Sequence, residues 1–359
     1  MPTLEQTMNG VLALPREAGT PAAAAARDLV AAHLEALGYR VERQRFSFSP
    51  SSLNGFPVFG AGLGGLALLL LPLLAGPRAP GWMAMLVVAG GLSALAATAL
   101  GIGLGWLPLG GPAREDANLI ATRGGMAVRR WIVAHLDTKA QVQSMAGRLV
   151  AVWVIGLAVA GLVALAVARL RGPVPLPLAG SGAALAVVGG GLAGRGRLRG
   201  TAPGARDNGT GVAAALAAAE RLDDAGTAIL ITGAEEFGLV GARVFATHDP
   251  ERLRDAVVVN LDTIDQEGEL ALVSHDARGS ALARREAPRL AAAGLAAHLR
   301  RLPVGILTDS LPFARAGVPA ITIGRLTWRT LRTIHTPHDT PDRLSLETAE
   351  RVGRALAAN

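Results

Sequence analysis

The sequence contains no cysteine, one lysine and one tyrosine, and only 18% of its 359 residues are charged. Without cysteine the protein can form neither a disulfide nor a metal site with thiolate ligands. The net charge of +7 alone would suit a nucleic-acid partner, but no basic stripe alternates with aromatic residues, which make up 4% of the chain. We therefore expect no nucleic acid among its partners.

What the sequence has in excess is apolar residues: half of the chain is hydrophobic and the mean hydropathy is +0.37. The excess is concentrated in four charge-free segments, at residues 56–75, 82–107, 149–168 and 176–193. Each is long enough to cross the ~30 Å hydrocarbon layer of a bilayer as a helix, and the fourth is the shortest and is rich in glycine. The composition thus points to lipid for part of the chain.

The four apolar segments form two pairs, each joined by a short proline-containing loop, at residues 76–80 and 171–173. A single run of this kind could also be a buried core helix, but paired runs favour two transmembrane hairpins in a lipid bilayer. We expect a multi-pass protein of the bacterial cell-membrane type. Arginines flank the spans more densely on the side of the remaining chain than in the far loops, which places that remainder on the cytoplasmic face.

Five segments follow from this division of the chain. Residues 51–111 and 146–194 are the hairpins, and residues 1–50, 112–145 and 195–359 together form one domain large enough for a sizeable core. In that domain short apolar runs alternate with stretches of helical periodicity. The pattern predicts an α/β fold, a mostly parallel mixed sheet with helices on both faces and with two inserted transmembrane hairpins.

Five short acidic or histidine motifs interrupt this domain. Taken singly each has an ordinary reading, as a surface ion pair, a tight turn or a charge at a helix N-terminus. Most of them follow apolar strand-like runs, however, and ligands bind at the carboxyl ends of strands in such sheets. In chain order the motifs are His135-Leu136-Asp137, Asp207-Asn208-Gly209-Thr210-Gly211, Glu235-Glu236, Asn260-Leu261-Asp262 and Ile334-His335-Thr336.

The residue types in these motifs suit a pair of divalent cations. Two imidazoles and three or four carboxylates are ligands that borderline metals accept, and one carboxylate would have to bridge the two ions. A further carboxylate beside them could take a proton from a metal-bound water. The motifs therefore indicate hydrolysis assisted by two metal ions.

The motif set resembles that of the co-catalytic di-zinc exopeptidases, the family of bacterial leucyl aminopeptidase, plasma glutamate carboxypeptidase, glutaminyl cyclase and the endoplasmic-reticulum metallopeptidase. The similarity begins near Pro15 and extends to Thr340, so it covers most of the domain outside the hairpins, which becomes a peptidase domain in three parts. The resemblance implies a membrane-anchored aminopeptidase with two Zn²⁺ per chain and a peptide substrate. The oligomeric state is left open.

The resemblance also assigns roles position by position. It gives His135 and Asp262 to one zinc ion, Glu236 and His335 to the other, and Asp207 to both as the bridge. It makes Glu235 the general base that activates the metal-bridging water, and Asp137 the catalytic carboxylate that orients the imidazole of His135. It further implies a cis peptide bond between Asp207 and Asn208.

Alternatives remain at this point. His338 competes with His335 for the last ligand position, although the family pattern of an apolar residue, histidine and then serine or threonine favours His335. Carboxypeptidase or glutaminyl cyclase activity on the same fold is possible, the cyclase needing only one zinc ion. A non-catalytic membrane scaffold with a peptidase-like domain is the third reading, which the complete ligand set disfavours.

Overall fold

The computed structural model describes residues 2–103, 107, 112–302 and 305–358. The chain forms two compact units, each built from separate stretches of sequence. The first unit comprises Met1–Phe48, Ala113–Ala140 and Gly200–Asn359, and the second comprises Ser49–Pro112 and Gln141–Arg199. The end of the first predicted hairpin, at residues 104–106 and 108–111, lies outside the described residues.

The first unit is built on one mixed sheet of eight strands in the order β1-β2-β4-β3-β5-β8-β6-β7. The four adjacent strands β4, β3, β5 and β8 are parallel to one another. On one side β1 and β2 join in antiparallel pairs, and on the other side β6 pairs antiparallel with β8 and parallel with β7. The strands are β1 (Arg40–Phe48), β2 (Arg114–Thr122), β3 (Arg130–His135), β4 (Thr227–Thr232), β5 (Val257–Ile264), β6 (Leu270–Ser274), β7 (Ala297–Arg300) and β8 (Ala320–Arg325). The α/β fold with a mostly parallel core is therefore confirmed.

The central strands are buried on both faces, as continuous apolar runs require in a covered parallel sheet. Every residue of β4 is buried, and so is every residue of β3 except Arg130. The helices of this unit are α1 (Leu4–Leu12), α2 (Pro21–Ala36), α8 (Thr210–Ala219), α9 (Val240–His248), α10 (Ala277–Ala292), α11 (Ser310–Arg315), α12 (Trp328–Thr333) and α13 (Glu347–Ala357).

Helix α8 lies in the core with all ten residues buried, which explains its alanine-rich sequence. Small side chains let α13 pack closely against α8. A Cβ atom added at Gly353 of α13 would lie 2.1 Å from the carbonyl oxygen of Ala214 in α8. Because α8 begins directly after the Asp207 motif, its burial holds that motif at a fixed place under the sheet edge.

The second unit contains a short helix α3 (Ser51–Asn54) and four long helices, α4 (Phe56–Ala75), α5 (Gly81–Gly103), α6 (Met145–Arg169) and α7 (Leu176–Gly194). All four long helices are long and apolar enough to cross a membrane, including the fourth, which is 19 residues long. Their core is made of leucine and alanine, while large apolar side chains such as Trp82, Trp153 and Leu178 are exposed. An exposed apolar surface of this kind suits contact with lipid.

Glycine allows the close packing of α4 and α7. A Cβ atom at Gly60 would lie 2.1 Å from the carbonyl oxygen of Gly190, and one at Gly190 would lie 2.3 Å from that of Gly60. Such contacts between small residues are how helices associate in lipid. At the far end of the unit, the buried Arg169 donates hydrogen bonds to the carbonyl oxygens of Leu73 and Gly76, which joins α6 to the loop after α4.

Three details differ from the sequence-based expectations. The sequence predicts two strands around a Gly124-Gly125 turn, but the strands that this turn joins, β2 and β3, are not neighbours, because β4 lies between them in the sheet. Asp262 does not follow its strand but lies within β5, beside an irregularity in the pairing with β8. The short elements α1, β7, α11 and α12 had no clear periodic signal, since elements of four to nine residues show too few repeats of either period.

Candidate metal centre

The topology of the sheet brings the five motifs together. Strands β4, β3 and β5 are parallel neighbours, so their carboxyl ends meet at one edge. His135 is the last residue of β3, Glu235 and Glu236 follow β4 after a short turn, and Asp262 is near the end of β5. Asp207 precedes α8 and His335 follows α12, and both reach the same edge.

Two groups of potential ligands result, and Asp207 belongs to both. In the first, Nε2 of His135 lies 3.2 Å from Oδ1 of Asp207 and 3.8 Å from Oδ1 of Asp262. In the second, Nε2 of His335 lies 3.0 Å from Oδ2 of Asp207 and 3.4 Å from Oε1 of Glu236. Asp207 thus offers one oxygen to each group, and the ligand atoms within each group lie within 4.8 Å of one another.

The donors fit divalent cations. They are imidazole nitrogens and carboxylate oxygens, the set that zinc accepts when no thiolate is present. Four of the five residues are buried, and Oε1 of Glu236 accepts no hydrogen bond from any residue that the structure describes. A buried carboxylate oxygen without a donor is costly, and a bound cation would satisfy it.

The carboxylate of Asp137 has a different main partner from the one the sequence suggested. Nδ1 of His135 donates to the backbone carbonyl of Asp137 at 3.1 Å, whereas the nearer carboxylate oxygen is 3.7 Å away. That carboxylate accepts the backbone N–H groups of Glu235 and Glu236 at 3.0 and 3.1 Å. Asp137 therefore orients the His135 ring through its backbone and fixes the Glu235-Glu236 turn through its side chain.

The loop that carries Asp207 is held by buried polar groups. The peptide bond between Asp207 and Asn208 is cis, as the resemblance implies. The carboxylate of Asp339 accepts the N–H groups of Arg206 and Asp207 at 2.9 and 3.1 Å, and the Asn208 amide donates to the carbonyl of Leu261 at 2.8 Å. The loop that carries Asp207 is thus tied to β5 and to the segment after His335.

Charges within the two ligand groups shift the pKa values of His135 and Asp207 in opposite directions. Burial opposes the charge on the His135 imidazole, but the carboxylates of Glu235, Asp137, Asp207 and Asp262 outweigh it and raise the pKa of His135 well above its ordinary value. Burial also opposes ionisation of Asp207, and here the hydrogen bonds to His135 and His335 prevail and hold its pKa well below the ordinary value. The site thus favours an ionised Asp207 carboxylate between the two histidines.

Glu235 and Glu236 are adjacent in the sequence, but their pKa values are shifted in opposite directions. Burial, with the charges of Glu236, Asp309 and Asp262, raises the pKa of Glu235 well above its ordinary value, against the opposing effect of His135. Burial acts on Glu236 as well, but the ammonium of Lys139 next to it lowers the pKa of Glu236 to about 2. One glutamate is therefore poised to take up a proton and the other to remain an anion.

Sequence reasoning assigned no firm role to several buried residues around the site. Arg16 is fully buried and donates to the carbonyl oxygens of Leu136, Pro203 and Gly204 at 2.8, 2.7 and 2.9 Å. Asp309 accepts a hydrogen bond from Thr232 at 2.5 Å, and burial raises its pKa to about 7. These contacts join residues 77 to 188 positions apart in the sequence. Short sequence motifs therefore do not predict them.

Burial distinguishes His335 from His338, the two candidates for the last ligand position. His335 is buried with Nε2 directed at Asp207, whereas His338 is exposed. His338 donates its backbone N–H to the hydroxyl of Thr336, which helps to form the turn after His335. The geometry therefore favours His335 as the ligand.

Comparison with known proteins agrees with this geometry. Residues 192–359 match the model of peptidase family M28, a range that includes every candidate ligand except His135. No curated protein matches the chain in sequence.

Solved structures with a similar fold include an aminopeptidase from Aneurinibacillus sp. strain AM-1, with 17% identity and a TM-score of 0.56 over 99% of this chain and 93% of that chain. A zinc aminopeptidase from Bacillus subtilis has 15% identity and a TM-score of 0.57, over 99% and 95% of the two chains. A glutaminyl cyclase from Fimbriiglobus ruber has 17% identity and a TM-score of 0.58, over 99% and 94%. At these identities the likeness shows a shared fold. The resemblance that the motifs carry is confirmed: the chain is similar to the aminopeptidases and glutaminyl cyclases of the M28 co-catalytic metallopeptidases.

Proposed function

We propose that the chain is a membrane-anchored metalloexopeptidase, an aminopeptidase that removes N-terminal residues from peptides with two Zn²⁺ per chain. The observation that carries this proposal is the position of Asp207. Its two carboxylate oxygens face two different histidines, His135 and His335, and each histidine has a further carboxylate beside it. A carboxylate shared in this way is what a pair of adjacent cations requires.

Five side chains would hold the cations: His135 and Asp262 one of them, Glu236 and His335 the other, and Asp207 both. When bound, the pair would polarise the carbonyl of the scissile peptide bond and lower the pKa of the attacking water. Four of the five donors are buried at the carboxyl edge of the central strands, and the fifth, Asp262, is half-buried.

Glu235 is the proposed general base. It would accept a proton from the attacking water as the new C–O bond forms, and return that proton to the leaving amine nitrogen as the C–N bond breaks. Its raised pKa suits a group that both takes up and releases a proton. The hydrogen bond from its backbone N–H to Asp137 holds it next to the ligand Glu236.

The membrane location is part of the proposal. Helices α4, α5, α6 and α7 are long and apolar enough to cross a bilayer, and they form two hairpins that would anchor the chain. The arginine distribution favours a cytoplasmic catalytic domain. Fractionation of cells that express the chain, followed by protease accessibility in inside-out vesicles, tests both statements.

Glutaminyl cyclase activity is the second candidate, supported by the fold likeness to the Fimbriiglobus ruber enzyme. In that reaction the amine of an N-terminal glutamine attacks its own side-chain amide and ammonia leaves. Only one cation is then expected per chain, whereas the shared carboxylate of Asp207 favours two.

The deciding experiment uses full-length protein purified in detergent. Zinc content is measured first, and then hydrolysis of aminoacyl anilides, of their N-acetylated forms, of N-acylated peptides with a free carboxyl end, and of glutaminyl peptides. We expect close to two Zn²⁺ and cleavage only where the N-terminal amine is free. Cleavage from the carboxyl end, or ammonia release without peptide cleavage, would replace aminopeptidase by one of the other activities. Absence of both zinc and hydrolysis would remove the enzyme proposal.

A further inference from the structure

The only lysine of the chain lies at the candidate metal centre. Basic residues number 35 in all, and every one except Lys139 is an arginine. Lys139 follows the His135-Leu136-Asp137 motif by two positions and is 4% exposed. Its ammonium group binds Oε2 of Glu236 in an ion pair whose two side chains are both 4% exposed. Lysine is among the residues that are seldom buried so completely, and only when paired.

This contact distinguishes the two oxygens of the Glu236 carboxylate. Oε2 is held by Lys139, whereas Oε1 accepts no hydrogen bond within the described part of the chain and lies 3.4 Å from Nε2 of His335. Oε1 therefore faces His335, which forms the second ligand group together with Glu236 and Asp207. The carboxylate is thus turned so that one oxygen is already satisfied and the other faces the site.

The chemistry of the two basic side chains explains why a lysine is suited to this position. A guanidinium presents a planar fork that binds both oxygens of a carboxylate at once. At position 139 such a fork would compete for Oε1. An ammonium is a compact charge that can satisfy one oxygen and leave the other free.

We propose that Lys139 is a positioning residue of the second cation site, which makes Glu236 a ligand through Oε1 alone. This inference rests on the proposed function, since it requires that the group formed by Asp207, Glu236 and His335 binds a cation. Lys139 acts on that site through Glu236, so the group formed by His135, Asp207 and Asp262 should not depend on it.

The single lysine provides a direct spectroscopic test. Full-length protein grown with lysine labelled with ¹³C at Cε gives one lysine signal. After the metal is removed with a chelator, Zn²⁺ is added in steps, in detergent at constant pH. We expect one of the two equivalents to shift the Lys139 signal and the other to leave it unchanged. A signal that responds to neither equivalent overturns the proposal, even if no variant folds.

Variants provide the second test, by equilibrium dialysis with Zn²⁺. Loss of a group that supports a metal ligand typically weakens binding by about 10–100-fold. We expect Lys139→Met and Lys139→Arg each to weaken one equivalent by about this factor and to leave the other unchanged. The Arg variant keeps the charge, so it separates ligand orientation from simple neutralisation of the site.

Arg130→Met is the matched control. Arg130 forms an ion pair with the buried Glu286 at 2.8 Å, at the other end of the strand that ends in His135. Its loss removes a partly buried cation without touching a candidate ligand, so both equivalents should bind as in the wild type. Wild-type affinity of both equivalents in Lys139→Met, or equal weakening of both, would overturn the inference. Failure of the wild-type protein to bind any Zn²⁺ would instead overturn the proposed function.

Discussion

Replacement of Glu235 by glutamine isolates the proposed proton transfer from metal binding. Glutamine has the same shape as glutamate but cannot accept the proton of water. The backbone N–H of residue 235 still donates to Asp137 at 3.0 Å, so the turn that also carries Glu236 keeps its anchor. The substitution adds no bulk at a position that is 7% exposed. We therefore expect an intact fold and an intact set of ligands.

The expected loss concerns the rate. General base catalysis contributes about 10²–10⁴-fold, which corresponds to roughly 2.7–5.5 kcal/mol of transition-state stabilisation. Because the ligands remain, zinc content should stay at the wild-type value and KM should change little. Steady-state hydrolysis of an aminoacyl anilide by detergent-purified protein, with zinc measured on the same sample, gives both quantities.

The neighbouring glutamate is the control for this experiment. Glu236→Gln changes an equally buried side chain one position away, but it should lower zinc content, because Glu236 is a candidate ligand. Turnover of Glu235→Gln within a few-fold of the wild type would show that Glu235 is not the base. Zinc loss in Glu235→Gln as large as in Glu236→Gln would show that it acts as a ligand.

Four further predictions follow from the geometry. Asp207→Ala should lower zinc content as well as activity, and two tightly held ions in that variant would exclude a bridging role. Arg16→Met should lower the melting temperature, since three carbonyl oxygens lose a donor, two of them in buried hydrogen bonds. Burial raises the pKa of Asp309 to about 7, so the folded metal-free protein keeps a proton that the unfolded chain releases near pH 4. The Asp309 carboxyl should then make stability fall as the pH rises from about 4 to 7, by at most about 1.4 kcal/mol per unit, and Asp309→Asn should make the fall in melting curves smaller; the raised pKa of Glu235 contributes in the same direction. Gly60→Leu should destabilise the second, helical unit in thermal unfolding, whereas Gly65→Leu on the same helix should not, because a Cβ at Gly65 meets nothing within 4 Å.

Much of the fold could be predicted because its strongest signals are local. The charge-free runs, the buried strands β3 and β4, and the helix that begins at Pro21 are each visible within a window of ten to twenty residues. The same holds for part of the candidate site, since His135 ends β3 and Glu235 and Glu236 follow β4. Strand order is different, because no short pattern shows that β4 lies between β2 and β3.

The contacts that tune the site could not be predicted in this way. Lys139 approaches Glu236 across 97 positions, and Asp339 approaches the backbone of Asp207 across 132. Each looks like an ordinary surface charge in the sequence. These residues become buried only because the sheet places their loops side by side. The spacing of residues in the sequence does not predict such contacts, and the three-dimensional structure is needed to identify them.

The positions of the two insertions explain why the peptidase-like fold survives them. The first insertion leaves β1 at Phe48 and returns at β2, where Phe48 is paired directly with Arg114. The second leaves after Ala140 and returns at Gly200, and here the hydroxyl of Thr138 donates to the carbonyl of Ala202 at 3.1 Å. In both cases the two ends are neighbours within the first unit, so the inserted helices replace a connection and leave the core contacts intact. Long insertions between adjacent ends cost little in loop entropy, which is the condition under which a fold can accept long apolar helices and keep its candidate metal ligands in place.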